Sequence, residues 1–194
     1  MKRLRVISYL AIGLIVLITA NRGEAAPPEL QTPAPVIYLA DNLDEQDKLG
    51  WCIDTVGRGL SDRLHAHSCK PHGGDVQFKF DAASGQLQSA TFDGKCAALQ
   101  AAAEPGIKFG LVICDGSEEN QRFIYDAAKM RFNPKGNTAL CLAVGGSSRI
   151  AGPFMSRNLV LANCAATEAK FLTWRIKQYG GQFLVTLKPR RPSL

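Results

Sequence analysis

The 194-residue chain contains no Gly-x-Ser-x-Gly, no His-Glu-x-x-His and no phosphate-binding glycine loop. The common hydrolase, zinc-protease and phosphoryl-transfer machineries are therefore missing, and no enzyme activity is expected. Its longest apolar run, Val6 to Ala20, has 15 residues, where a membrane-spanning helix wants about 20. No cysteine lies near the end of that run, which argues against a bacterial lipid anchor. Histidine is scarce: there are three, all between positions 65 and 72. Basic runs are absent from the interior of the chain, so nucleic acid is not an expected partner.

The first 25 residues read as a secretory signal. Lys2, Arg3 and Arg5 precede the apolar run, and Gly23-Glu24-Ala25 places small residues where a signal peptidase inspects the chain, with cleavage expected before Ala26. This segment carries four Lys or Arg and one Glu. Without it, 19 basic residues face 16 acidic ones and the formal charge falls from +6 to +3. Expected localisation is secreted or periplasmic, with no membrane span after cleavage. Residues 26–48 form a leader whose first ten residues hold four prolines and should be extended. Val36 to Ala40 could add a strand, and the charged stretch Asp41 to Lys48 reads as a loop. Residues 188–194 make a basic tail.

What is present is a threefold echo built on six cysteines. Cys52, Cys96 and Cys141 recur at intervals of 44 and 45, and each is followed by a second cysteine, Cys69, Cys114 and Cys164. An aromatic follows at Phe78, Phe123 and Trp174. Further apolar positions recur at Phe80, Tyr125 and Ile176, and at Leu87, Phe132 and Phe183. Such a period signals one supersecondary unit used three times. Six cysteines permit fifteen pairings, and the repeat narrows them to Cys52–Cys69, Cys96–Cys114 and Cys141–Cys164. Each loop would stabilise by roughly 3 kcal/mol in the chain-entropy model. Oxidised thiols again imply an exported protein.

Apolar residues come in short alternating bursts, as in Leu64 to Cys69, Gln77 to Phe80 and Thr173 to Ile176, which are strand signals. Ser84-Gly85, Asp93-Gly94, Lys135-Gly136 and Gly180-Gly181 supply turns. Ala97 to Glu104 is the one helix-like stretch, ended by Pro105-Gly106. The sum is an all-β domain with about four strands per repeat, closing into a pseudo-threefold barrel with a hairpin cap.

These features resemble the ricin B-type lectin family of β-trefoils, which repeats Cys-x-Asp, a strand ending in Cys, and Asn-Gln-x-Trp. Asn120-Gln121-Arg122-Phe123 fits with Phe for Trp. Asp75-Val76-Gln77-Phe78 fits loosely, and Phe171-Leu172-Thr173-Trp174 keeps the aromatic. The resemblance covers residues 49–187 and implies a β-trefoil of three pseudo-repeats (about 52–95, 96–140 and 141–187), each with one disulfide. It implies buried wedges at Phe78, Phe123 and Trp174.

In lectins of this type an Asp two residues after the first cysteine grips vicinal hydroxyls, because a carboxylate accepts two charge-assisted bonds. An aromatic two residues before the second cysteine stacks on the sugar. Repeat one offers Asp54, His65, His67 and Asp75 at the family's positions. Repeats two and three offer Ala98 and Ala143 in place of the carboxylate, and alanine accepts no hydrogen bond. The expected ligand is therefore a glycan bound weakly by Asp54, His65, His67 and Asp75. A turn role for Asp54 near Val56-Gly57 competes with this. Metal binding by the histidines and carboxylates is a further rival. The cysteine pairs recur where no histidine exists, which favours disulfides and no cofactor. The layout is also similar to the binding subunits of cytolethal distending toxins. That likeness implies a protein partner, such as toxin subunits, for a trefoil that has lost sugar recognition. A five-residue insertion around Ala151 to Arg157 favours this alternative.

Overall fold

The computed structural model describes residues 26–179. The signal segment, the Gly180-Gly181 turn, Phe183 and the basic tail lie outside the described residues.

Twelve strands run in order: β1 (Val36–Leu39), β2 (Trp51–Thr55), β3 (Leu64–Ser68), β4 (Phe78–Asp81), β5 (Gln86–Ser89), β6 (Lys95–Leu99), β7 (Phe109–Ile113), β8 (Phe123–Asp126), β9 (Arg131–Pro134), β10 (Leu140–Ala151), β11 (Phe154–Asn163) and β12 (Trp174–Lys177). They form two kinds of antiparallel hairpin. One kind carries the cysteines: β2–β3, β6–β7 and β10–β11. The other carries the core aromatics: β4–β5, β8–β9 and β12–β1. Disulfides Cys52–Cys69, Cys96–Cys114 and Cys141–Cys164 lie one within each repeat.

The registers expose the pseudo-symmetry. Phe80 faces Leu87 and Tyr125 faces Phe132, while in repeat three Ile176 faces Ile37. The last hairpin is thus completed by β1 from the start of the described chain, which sets Ile37 opposite Ile176. Val36–Leu39, within the stretch read as leader, are thus part of the sheet. Phe78, Phe123 and Trp174 are all buried in one continuous core. The Trp174 indole donates to the Leu142 carbonyl at 3.0 Å, which satisfies the one polar atom this ring brings inside.

The charged stretch after β1 is a loop, as expected, and part of it is buried. Asn42 and Glu45 are buried and fully employed. Asn42 Nδ2 donates to Glu45 O, Gly50 N donates to Asn42 Oδ1, and the Trp51 indole donates to Asn42 O. Glu45 accepts from Leu49 N and from the Ser68 hydroxyl. Buried polar atoms are tolerated where each finds a partner.

Among the described residues only two one-turn 3₁₀ segments are helical, Glu119–Gln121 and Ala169–Phe171. The expected helix over 97–104 is instead β6 and a turn. Ala97 and Ala98 are both buried there, opposite Leu111 and Gly110. Small residues suit that crowded hairpin: a Cβ on Gly110 would lie 2.9 Å from the Asp62 carbonyl. Packing, not alanine's helix propensity, decides this segment. Gly85 carries a φ of 77°, and a Cβ there would sit 2.7 Å from the Phe123 carbonyl. Repeat one docks on repeat two through that bare turn, where Phe123 N donates to Gly85 O at 2.7 Å.

Candidate functional site

Strand β3 places His65 and His67 on one face, since alternate residues of a strand share a side. Asp54 lies across the hairpin, paired with His65 in register. The two imidazole centroids are 5.3 Å apart. Asp54 Oδ2 lies 3.9 Å from His65 Nε2, 3.5 Å from His67 Nδ1 and 2.9 Å from Lys70 Nζ. Lys70 also donates to Asp75 Oδ1. All four residues expected in repeat one therefore belong to one cluster, joined by a lysine that the sequence reasoning did not include. His72 is exposed.

The cluster is closed. Asp54 is fully buried, and both histidines are under a tenth exposed. Oδ1 of Asp54 accepts from the Thr55 amide at 2.7 Å. Oδ2 is buried and has no aligned hydrogen bond, so it is held by the charge of Lys70. Burial opposes ionisation of Asp54, but His65 and the Lys70 ammonium outweigh it and hold the carboxyl below its usual range. Burial likewise disfavours the Lys70 charge, and the flanking carboxylates of Asp75 and Asp54 more than restore it. Desolvation lowers the His67 pKa, against the Ser68 carbonyl and Asp54. At 3.0 Å from that carbonyl, Nδ1 carries the ring's proton. A catalytic acid needs a raised carboxyl pKa, and Asp54 has the opposite.

The cover over the histidines comes from repeat three. There the insertion lengthens β10 and β11 into a long hairpin with a bulge between Val144 and Ser148. Strand β11 pairs with β3, Ser156 facing His67 and Arg157 facing Ala66. Phe154 packs edge-on to His67. Arg157 is buried, bonds Asp44 and the Gly145 carbonyl, and lies 4.9 Å over the Trp51 ring. Leu64 to Ser68 forms the expected strand, and all five of its residues are buried because this hairpin covers the outer face. The insertion itself was visible in the sequence, but nothing local says which repeat it lies on.

The family-type positions of the other repeats carry no polar cluster. Ala98 and Ala143 are buried. Gln121 of the Asn-Gln motif is a structural tie: it donates to the Ile113 carbonyl and accepts from Asp115 N and Gln86 Nε2. Among the described residues, no group of three or more His, Cys, Asp or Glu is arranged to hold a metal ion. No helix among them is long and apolar enough to cross a membrane.

No family model matches the sequence, and no curated protein matches it as a relative. Solved structures do match. The agglutinin of Abrus precatorius aligns at 10% identity over 73% of this chain and 45% of its own, with a TM-score of 0.53. The β-trefoil lectin of the Vibrio vulnificus hemolysin/cytolysin, solved with N-acetyl-D-lactosamine bound, aligns at 16% identity over 74% of this chain and 93% of its own, with a TM-score of 0.50. GalNAc-T7, solved with UDP, GalNAc and Mn2+, aligns at 18% identity over 66% of this chain and only 20% of its own, with a TM-score of 0.47. This chain thus spans under half the length of the agglutinin and a fifth of GalNAc-T7. With its three disulfide-bearing repeats, the protein has the β-trefoil fold, shared with the Vibrio lectin and the Abrus agglutinin.

Proposed function

We propose that the protein is a secreted, non-catalytic, lectin-like module that binds a carbohydrate weakly. The observation that carries this reading is the fold shared with two lectins, one of them solved with a disaccharide bound. Three disulfides and the signal-like start support export. Fold alone does not fix a ligand, so the local chemistry of repeat one matters. Asp54 could grip a diol only by giving up Lys70. A sugar in that position would meet the rim, where the Lys70 and Asp75 side chains are 21% and 13% exposed, with Asp54, His65 and His67 behind them. One shallow position gains no avidity from its neighbours, which is why binding is weak. A glycan array with the oxidised protein, followed by calorimetry on each hit, tests the reading; silence in both would remove it.

A second reading is favoured by a specific observation: the repeat-one position is filled from within, and Ala98 and Ala143 occupy the other two. In that reading the trefoil is a protein-binding module, such as a toxin's cell-binding subunit or a secreted adaptor. A stoichiometric partner co-purifying from the native secretome, together with a silent array, would raise it above the first.

A further inference from the structure

We propose that a pocket on the pseudo-threefold axis is an anion site that receives a sulfate group carried on a saccharide. This rests on the lectin-like reading above. Strands β3, β7 and β11 meet around the axis. Arg63 bridges to Gly110, Lys108 bridges to Val160, and Arg157 pairs with Ala66. Inside this triangle lies a pocket of about 130 Å³. Its floor is Leu64, Phe109 and Leu159, the residues facing Thr55, Leu99 and Val144 in the three cysteine hairpins.

The chemistry of its wall is one-sided. Arg63 and Lys108 occupy equivalent places in repeats one and two, and both line the pocket. The corresponding place in repeat three is Asn158. There Arg149 supplies the cation, donating to Asn158 Oδ1 at 3.2 Å. Arg149 lies on the extended part of β10, so the insertion that covers His67 also completes this ring of charge. No carboxylate lines the pocket. Among the described residues, none of the three cations makes an ion pair. Three like charges around one concavity repel each other, and an apolar floor focuses their field toward an anion.

Guanidinium groups offer a planar fork that matches oxyanions. The carboxamides of Gln100 and Asn158 also line the pocket and can bond sugar hydroxyls. Together these fit a sulfated sugar better than a bare ion. Arg63, Lys108 and Arg149 are all exposed, so replacing them leaves the core intact.

The test is calorimetry of the oxidised protein, as secreted, against a sulfated glycosaminoglycan tetrasaccharide, its desulfated form and sodium sulfate. The sulfated form should bind, and should weaken as salt rises. The desulfated form and a doubly substituted Arg63→Ser/Lys108→Ser protein should each bind about tenfold more weakly or worse, while Lys108→Arg retains binding. Equal binding by the folded double variant, or by the desulfated sugar, overturns the proposal. Should the double variant fail to fold, Arg149→Ser provides the same comparison. If array hits are neutral glycans that bind the double variant normally, the lectin-like reading stands and this inference falls. If sodium sulfate binds in a Lys108-dependent way and no saccharide does, the anion pocket stands. The sulfated-saccharide assignment then falls together with the lectin-like reading.

Discussion

The Phe154 ring meets the His67 imidazole edge-on, with centroids 5.5 Å apart and planes at 66°. Through this contact the long hairpin of repeat three covers the strand of repeat one that carries the candidate ligand groups. Replacing Phe154 by alanine should cost about 1 kcal/mol, since the ring is only partly buried and an aromatic pair adds modestly beyond its area. The same change should speed diethylpyrocarbonate modification of His67, read by mass spectrometry. An unchanged rate would mean the ring is not the cover.

Asp54→Asn keeps the shape and removes the charge. Lys70 would retain Asp75 but lose its buried partner, so a loss of about 2 kcal/mol is expected. Denaturant midpoints measure it. A neutral result would show that the Asp54 carboxylate is not paired inside the fold.

The same cluster sets an acid limb of stability. The His67 pKa lies below its usual 6.5, so between the two values the unfolded chain binds the extra proton and the native state loses ground as pH falls below about 6.5. The Asp54 pKa lies below its usual 3.8; the stability it contributes is present above that value and is lost as pH drops through the lowered one. At the other end the Lys70 pKa lies above 10.5, and its share is full below that value and lost as pH climbs through the raised one. Melting midpoints across pH should therefore fall in two acid stages. His67→Gln should remove the first stage and leave the second.

Ile37 is fully buried and faces Ile176 in the hairpin that joins the two ends of the described chain. Ile37→Ala should cost about 3 kcal/mol, as for a core aliphatic truncated to alanine. A leader outside the domain would tolerate the change at no cost, so urea unfolding of this one variant separates the two descriptions.

Much of the architecture is legible in the chain because spacing survives where motifs do not. The intervals between Cys52, Cys96 and Cys141 and the aromatics at Phe78, Phe123 and Trp174 fix three copies and a shared core. Strand alternation marks β4 and β12. What local pattern cannot reveal is which segment supplies a missing strand or cover. Ile37 reads as leader because its partner Ile176 is 139 positions away. The burial of Asn42 and Glu45 in their loop is not legible because their partners, Trp51 and Ser68, are reached only after folding. The candidate site was readable as a set of residues and misread in its state. Asp54, His65, His67 and Asp75 do converge, yet Lys70 and Phe154 close them off, and no periodicity announces either contact.

The most direct test is an amide chemical-shift map of the oxidised protein titrated with a sulfated glycosaminoglycan tetrasaccharide. Perturbations should centre on Arg63, Lys108, Arg149 and Asn158, with Gln100 and His65 of the same pocket following. A map in which these pocket residues stay silent, wherever else the chain responds, would refute the anion site.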